Sequence, residues 1–323
     1  MDVLDRKILN ELQTQGFQKI HIIASHFGIG ERTISRRISA MRREGIIKII
    51  ALPDFVLFGY KAWAKIGIKV KPQSLSYVAG QLANNASIYF VAYAYGPFDI
   101  IIAVHFYNID SLTFFINTEL IKIKGILSTE TMVLTSPRKY YNFSWPIPRF
   151  EKTQNGLGYD LDADINRNHY EIDKTDKKIL SILMEDGLAR PASIKSRLGM
   201  GESTIRKRMK KMSDNGLFRI IVVPNPEVLE HEVWATMGIT INKRLAYEVL
   251  DAIVKYPEVY LASVAIGRFN LVIAARFHHI DFINQFINIK LPEIEGVSYV
   301  ETFLHNKPLK YHNIHWPIQK NGI

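Results

Sequence analysis

Hydrophobic positions in the first 45 residues recur at helical spacing in three short stripes. Leu4, Ile8, Leu9 and Leu12 form the first, and Gly16 stops it. Ile20, Ile23, Ala24 and Phe27 form the second, closed by Gly28. Ile34, Ile38 and Met41 form the third, which starts near Gly30, a tolerated N-cap, and ends at Gly45. Helices of this size with a glycine turn before the last predict a helix-turn-helix head. The apolar run Ile46–Pro53 reads as a strand leaving that head, bounded by proline. From Trp63 the period changes to 2. Ala64, Ile66, Ile68 and Val70 alternate with Lys65, Gly67 and Lys69, which predicts a half-buried strand. Leu75, Val78, Ala79 and Leu82 predict a helix. Ser87–Tyr95 and Ile100–Tyr107 predict strands flanking the turn Gly96–Pro97–Phe98–Asp99. Leu112, Phe115 and Ile116 mark a second helix, and Ile126–Thr135 a last strand. The order β-α-β-β-α-β is the ferredoxin-like arrangement. Such a sheet has one face that its own helices do not cover, and that face needs a partner.

The whole pattern then occurs again, 171 residues later and without a gap. DRKILNEL (Asp5–Leu12) falls on DKKILSIL (Asp176–Leu183), GPFDI (Gly96–Ile100) on GRFNL (Gly267–Leu271), and KYYNFSWPI (Lys139–Ile147) on KYHNIHWPI (Lys310–Ile318). Between Asp5 and Pro53, 19 of 49 positions are identical to their partners, so the chain is two copies of one unit. The fold class is α+β: two repeats of a winged-type helix-turn-helix head followed by a ferredoxin-like βαββαβ domain. The expected boundaries are heads at 1–52 and 173–223, βαββαβ domains at 53–150 and 224–323, and an acidic linker at 151–172. The joint Glu151–Asp173 carries six acidic and two basic residues and reads as a solvated, flexible chain. Its run Asp160, Asp162, Asp164 lacks the rest of a calcium loop. The second copy is the expected cover for each open sheet face, which predicts an intramolecular pseudo-dimer, with homo-oligomers of whole chains beyond it.

Charge adds the first chemistry. The formal net charge is +10, and it is not spread evenly. Ile29–Lys48 and Met200–Arg219 each hold six basic and two acidic residues, a net of +4 apiece. On a helical wheel Ile34, Ile38 and Met41 fall within about 60° of each other, and Arg32, Arg36, Ser39 and Arg43 lie opposite. One face is core and the other is basic, as a helix in a DNA major groove requires. The second copy places Ile205, Met209 and Met212 inside and Ser203, Arg206, Lys207 and Lys210 outside. The candidate DNA contacts are therefore Arg32, Thr33, Ser35, Arg36, Arg37, Ser39, Arg43 and Lys48, and in the second copy Ser203, Thr204, Arg206, Lys207, Arg208, Lys210 and Arg219. Arginine suits guanine or phosphate, and serine or threonine either. Arg37 and Arg208 sit at the flank, where phosphate is the expected partner. The implied partner is double-stranded DNA.

Composition excludes several classes. With no cysteine there is neither a disulfide framework nor a thiolate metal site. The start lacks a signal-peptide pattern, and no apolar run spans a bilayer, so the expected location is cytoplasmic and no membrane partner is expected. There is no Walker loop, nucleophile elbow or zincin motif, so no catalytic residue and no cofactor are assigned. His305, His312 and His315 lie close in sequence, but their spacing matches no metal site. The aromatics of Tyr89–Tyr107 read as strand core, and the repeated tail places Trp145 and Trp316 against the domains.

A head reading LDRKIL…GIGERTISRRISAMRREGII, followed by a βαββαβ domain with a G-x-x-D turn, resembles the leucine-responsive/asparagine-responsive (Lrp/AsnC) family of transcriptional regulators. The resemblance runs over nearly the whole chain, twice. It implies domains that pair through their sheets and sense a small molecule, usually an amino acid. It places the effector near Gly96, Phe98 and Asp99, with Gly267, Arg268 and Asn270 in the second copy. This chain departs from the family in being a fused pair and in having Asn270 where the first copy has Asp99. An alternative of the same build is the siroheme decarboxylase, which also occurs as fused pairs. Its Arg/His-rich strand motif is absent here, where the strand reads VAYAYGPFDIIIAV, and it has no need of a basic recognition face. RNA binding through the sheet aromatics lacks the ribonucleoprotein motif.

Overall fold

A computed structural model of the protein describes residues 1–15, 17, 20–55, 57–140, 143–144, 150–153, 156–159, 171–226, 233–242, 245–306, 308–312 and 314–315. The chain divides into two units. One holds both heads (residues 1–59 and 148–228) and the other both βαββαβ domains (60–147 and 229–323).

In the first unit each head has three helices and a strand. The first head comprises α1 (Val3–Gln15), α2 (Ile20–Phe27), α3 (Glu31–Arg43) and β1 (Ile47–Pro53). Gly28 between α2 and α3 takes a left-handed φ of 62°, and its counterpart Gly199 takes 67°, which is why glycine stands in both turns. Apolar residues at helical spacing close the core: Ile8, Leu12, Ile23, Ile34, Ile38 and Met41 are all buried.

The two heads interlock. The strand β1 pairs antiparallel with its own counterpart from the second head, Phe218–Pro224, and Ile50 lies opposite Ile221, the residue 171 positions later. The ribbon is thus centred on a local twofold. Phe17, just after α1, donates its N–H to Ile220 O at 3.2 Å. Gly187, one residue before Leu188, the counterpart of Phe17, donates to Ile49 O at 2.8 Å. Ala51 of the first copy lies in the hydrophobic core of the second head, with Ile179, Leu183, Ile194, Ile205 and Met212. Residues 154–155 and 160–170 of the expected linker, including the acidic run, lie outside the described residues. Its beginning forms a short hairpin, Phe150–Thr153 on Gly156–Tyr159.

In the second unit the first domain runs β2 (Ala62–Val70), α4 (Leu75–Asn84), β3 (Ile88–Tyr95), β4 (Ile100–Phe106), α5 (Ile109–Phe114) and β5 (Ile126–Tyr140), with the strand β6 (Phe143–Ser144) folding back on β5. The linker hairpin supplies β7 and β8. The second head supplies α6 (Lys174–Glu185), α7 (Pro191–Leu198), α8 (Glu202–Asp214) and β9, the strand already paired with β1. The second domain repeats the order as β10 (Val233–Ile241), α9 (Ala246–Ile253), β11 (Val259–Ile266), β12 (Leu271–Phe277), α10 (Ile280–Gln285), β13 (Val297–His305), β14 (Lys310–Tyr311) and β15 (Ile314–His315).

These strands make one sheet in the order β13-β10-β12-β11-β5-β2-β4-β3, and β3 pairs back onto β13 through Leu304↔Tyr95 and His305↔Ala94. The sheet therefore closes into an eight-stranded barrel, a size whose interior side chains just fill. The two seams are equivalent: Tyr140 lies opposite Leu261, and Tyr311 opposite Phe90.

Closure explains two departures from the sequence reading. The strand expected at Ile126–Thr135 runs on to Tyr140, because its last residues make a seam with β11. The strand expected to be half-buried, β2, is buried on both faces. Ala64, Ile66 and Ile68 meet the helices, while Trp63, Lys65 and Gly67 alternate with them toward the interior, where the second copy packs.

Candidate functional site

Each recognition helix begins on glycine. Gly30 and Gly201 adopt extended N-cap geometry, and the first turns that follow carry Glu31 and Glu202. Ile34, Ile38 and Met41 anchor α3 in its head; Ile205 and Met212 anchor α8. The opposite faces are open. Arg32, Arg36, Ser39 and Arg43 are exposed, as is Lys48 on the ribbon, while Thr33 and Ser35 are half-buried. Ser203, Thr204, Arg206, Lys207, Lys210 and Arg219 are exposed. Arg32, Arg36 and Lys207 enter no ion pair among the described residues, so their charge is available to an anion. Arg206 and Lys210 pair with Glu202 and Asp214 one helical turn away, at 2.8 and 2.6 Å. Exposed i,i+4 pairs of this kind are worth only a few tenths of a kcal/mol and yield easily to phosphate.

Arg37 and Arg208 differ from the rest, and the expected phosphate role does not suit them. The Arg37 guanidinium bonds Asp2 at 2.6 Å and Asp5 at 2.7 Å. Arg208 bonds Asp173 at 2.7 Å and Asp176 at 2.9 Å. In the second head the same two carboxylates form a capping box, with Asp173 accepting from the Asp176 N–H. Hydrogen bonds to Asp5 and Asp2 push Arg37 above its ordinary value, and Asp176 and Asp173 do the same to Arg208. These arginines tie the recognition helix to the first helix of its own head. The signal was in the repeat: Asp2 and Asp5 recur as Asp173 and Asp176 beside the recurring arginine.

The two expected effector turns meet at one end of the barrel. Phe98 and Phe269 lie on either side of Phe303, with ring centroids 5.2 and 6.0 Å from it. Each phenyl ring lies over a glycine of the neighbouring strand. A Cβ on Gly67 would stand 2.4 Å from the Phe98 ring, and one on Gly238 would stand 2.3 Å from Phe269. Gly67→Ala should therefore cost about 1–3 kcal/mol by overpacking. Urea unfolding measures it, and a midpoint unchanged from wild type would show that the ring moves aside freely.

Asp99 is already committed. Its carboxylate accepts from the Val70 N–H at 2.9 Å and pairs with Lys69 at 3.0 Å. Asn270 keeps the first bond, accepting from the Ile241 N–H at 3.0 Å. Lys69 is replaced by Thr240 in the second copy, so the ion pair is lost from both sides together. The shared duty of Asp99 and Asn270 is to fix the turn after Gly96 and Gly267, whose φ values are 111° and 132°. Arg268 is also engaged. It forms ion pairs with Glu130 of the first copy at 2.9 Å and Glu301 of the second at 3.0 Å.

The sequence reading missed the residues that join the copies. Lys139 crosses the seam and donates to the carbonyls of Val254 and Tyr256 at 3.0 and 2.9 Å, just beyond α9. Lys310, its counterpart, donates to Asn85 O at 2.7 Å, just beyond α4. A cation at a helix C-terminus is favourable. The repeated Lys-Tyr pair was the available signal. Trp145 and Trp316 of the same motif lie outside the described residues.

Comparison with known proteins agrees with this geometry. The family model described as Lrp/AsnC ligand binding domain matches residues 64–142, AsnC-type helix-turn-helix domain matches 172–213, and winged helix-turn-helix DNA-binding matches 1–48. An HTH-type transcriptional regulator of Pyrococcus furiosus, named as uncharacterized, is 36% identical over 141 residues, which is 43% of this chain and 95% of the relative. The HTH-type transcriptional regulator FL11 of the same organism is 31% identical over 134 residues, 41% of this chain and 88% of that one. Among solved structures, the siroheme decarboxylase NirDL in complex with an iron-uroporphyrin III analogue is similar in fold over 97% of this chain and 94% of its own, with a TM-score of 0.62 and 14% identity. Single-unit regulators thus match one copy of the repeat almost end to end, and the chain belongs to the Lrp/AsnC family.

Proposed function

We propose that this DNA-binding regulator uses its two fused copies as one pseudo-dimer that reads two different half-sites and answers to a small molecule, an amino acid. The observation that carries the reading is the pair of open basic faces, on α3 and α8, each backed by an apolar face seated in its head. The faces are not alike. Arg32 stands against Ser203, Ser35 against Arg206, Arg36 against Lys207, Ser39 against Lys210 and Arg43 against Asp214. Arginine offers a planar fork that suits guanine, while lysine offers a point charge. The heads should hold phosphate comparably and read bases differently, so the preferred site is an imperfect palindrome. No described helix is long and apolar enough to cross a membrane.

Binding-site selection on wild type and Arg36→Ala tests this. The variant should lose about 1–3 kcal/mol and relax one half-site only. A perfect palindrome that degrades in both halves would show the heads to be equivalent. For the effector, the two turns should differ in affinity, because one holds the Asp99–Lys69 ion pair and the other has Asn270 beside Arg268. Calorimetry against a panel of amino acids reads this, and two equal sites would contradict it.

A second reading, a siroheme decarboxylase-like enzyme, takes support from the likeness in fold over the whole chain. Incubation with siroheme separates the two. A spectral shift with product formation favours the enzyme, and no shift favours the regulator.

A further inference from the structure

The barrel interior holds a lysine with no counter-charge among the described residues. Lys65, on β2, is buried to 2% exposure and forms no ion pair among the described residues. Its ammonium donates to Thr236 Oγ1 at 3.1 Å and lies 4.6 Å from the centre of the Phe90 ring. Thr236 is the residue 171 positions later, so the contact joins repeat counterparts across the local twofold. A cavity beside it is lined by Lys65, Tyr89, Tyr140, Tyr260, Tyr311 and His312, with no carboxylate among its lining residues. Several buried polar atoms close by have no hydrogen-bond partner: the Tyr89 hydroxyl, Trp234 Nε1 and His305 Nδ1. Tyr89, Trp234 and His305 are no more than 5% exposed.

Burying a charge without a partner is costly, and so is each unmet donor. Desolvation alone pushes the Lys65 ammonium down to about 7. The groups around the cavity have one chemistry in common. The Lys65 ammonium only donates, and the Tyr89 hydroxyl, which lines the same cavity without a hydrogen-bond partner, donates readily. What would satisfy both is a body that only accepts and carries negative charge. The room available is about 10 Å³, enough for something the size of one water.

We propose that the barrel interior beside Lys65 binds a monatomic anion of halide size, with Lys65 as its counter-charge. The site goes beyond the effector reading: it lies inside the barrel, it takes no residue of the Gly96 or Gly267 turns, and it stands whether or not those turns bind an amino acid. It also depends on the duplication. Two identical chains would bring two lysines together where this chain has Lys65 and Thr236.

Thermal melting of the full chain at fixed ionic strength tests the proposal, with sodium gluconate and formate, whose anions are too large, against sodium chloride and bromide. The expected result is a saturable rise in Tm on the order of 5 °C over gluconate. In Lys65→Met the rise should vanish, while the Tm in gluconate should be no lower than wild type. Equal melting of wild type in all salts, or the same salt response in Lys65→Met, overturns the proposal. Should that variant not fold, crystals of the wild type grown in bromide decide the matter. An anomalous peak beside Lys65 supports the site, and peaks on the surface alone reject it.

Discussion

Between pH 6.5 and about 3 the protein should lose close to 3 kcal/mol of stability per pH unit from two side chains alone. His305 and His312 are buried at 4% and 8% exposure inside the barrel. Desolvation lowers both from 6.5 to about 3, with Lys65 adding to the effect on His305 and Arg276 to that on His312. In that window the unfolded chain binds two protons at these positions that the folded chain refuses, and His105, which burial also lowers to about 3, adds a third. The contribution is therefore fully present above pH 6.5 and is lost as pH falls toward 3. Each histidine contributes about 1.4 kcal/mol per unit. By pH 4.5 the loss is about 5 kcal/mol, a large part of the stability of an ordinary domain. Lys65 works in a different range. Its lowered value costs stability fully below about pH 7, and the cost is relieved as pH rises from there toward 10.5. Urea midpoints at pH 7, 5.5 and 4.5 check the slope. His305→Leu, which installs the residue that stands at the counterpart Leu134, should lower it by about 1.4 kcal/mol per unit, one third of what the three histidines give together. An acid transition of unchanged steepness in that variant would place the proton uptake elsewhere.

Ile50→Pro should cut affinity for a two-half-site operator by about a hundredfold or more, toward that of a single head. The end pairs of the β1–β9 ribbon, Asn225 N–H to Ile46 O and Asp54 N–H to Leu217 O, set its alternation. Ile50 and Ile221 then form a bonded pair in which each donates to the other. Proline cannot donate, and its ring would enter a ribbon whose Ile50 and Ile221 are 3% and 0% exposed. Gly187 leaves no slack on the other side, since a Cβ there would lie 2.8 Å from Ile50 C. The diagnostic result is in spacing. Wild type should favour one separation of half-sites and the variant should accept many, since its heads are no longer locked in register. Gel shifts on a series of spacers read this directly. A variant that keeps the wild-type spacing preference would show that the ribbon does not orient the heads.

The repeat and the change of period from 3.6 to 2 made the elements legible, because each reflects burial on one side of a helix or strand. Ile34, Ile38 and Met41 were readable as core, and the open face of α3 followed from them. What pattern alone could not show was pairing between copies. Nothing local distinguishes β1, which leaves its head to bond β9, from a strand that stays at home. Lys65 looked like the solvent side of an alternating strand, since alternation reports two faces but not what covers the second. Arg37 looked like Arg36 for a similar reason. Its carboxylate partners lie just before and in the first turn of α1, more than 30 residues earlier in the chain.

Arg268 shows what a fused pair permits in arithmetic terms. Glu130 and Glu301 are equivalent positions of the two copies, and one guanidinium serves both, while the position equivalent to Arg268 is Pro97. A dimer of identical chains has only even counts to offer. It would bring two arginines to two glutamates, or none. By writing both halves in one polypeptide, this protein can place an odd number of charges near its own twofold, and selection can adjust one side of the interface at a time.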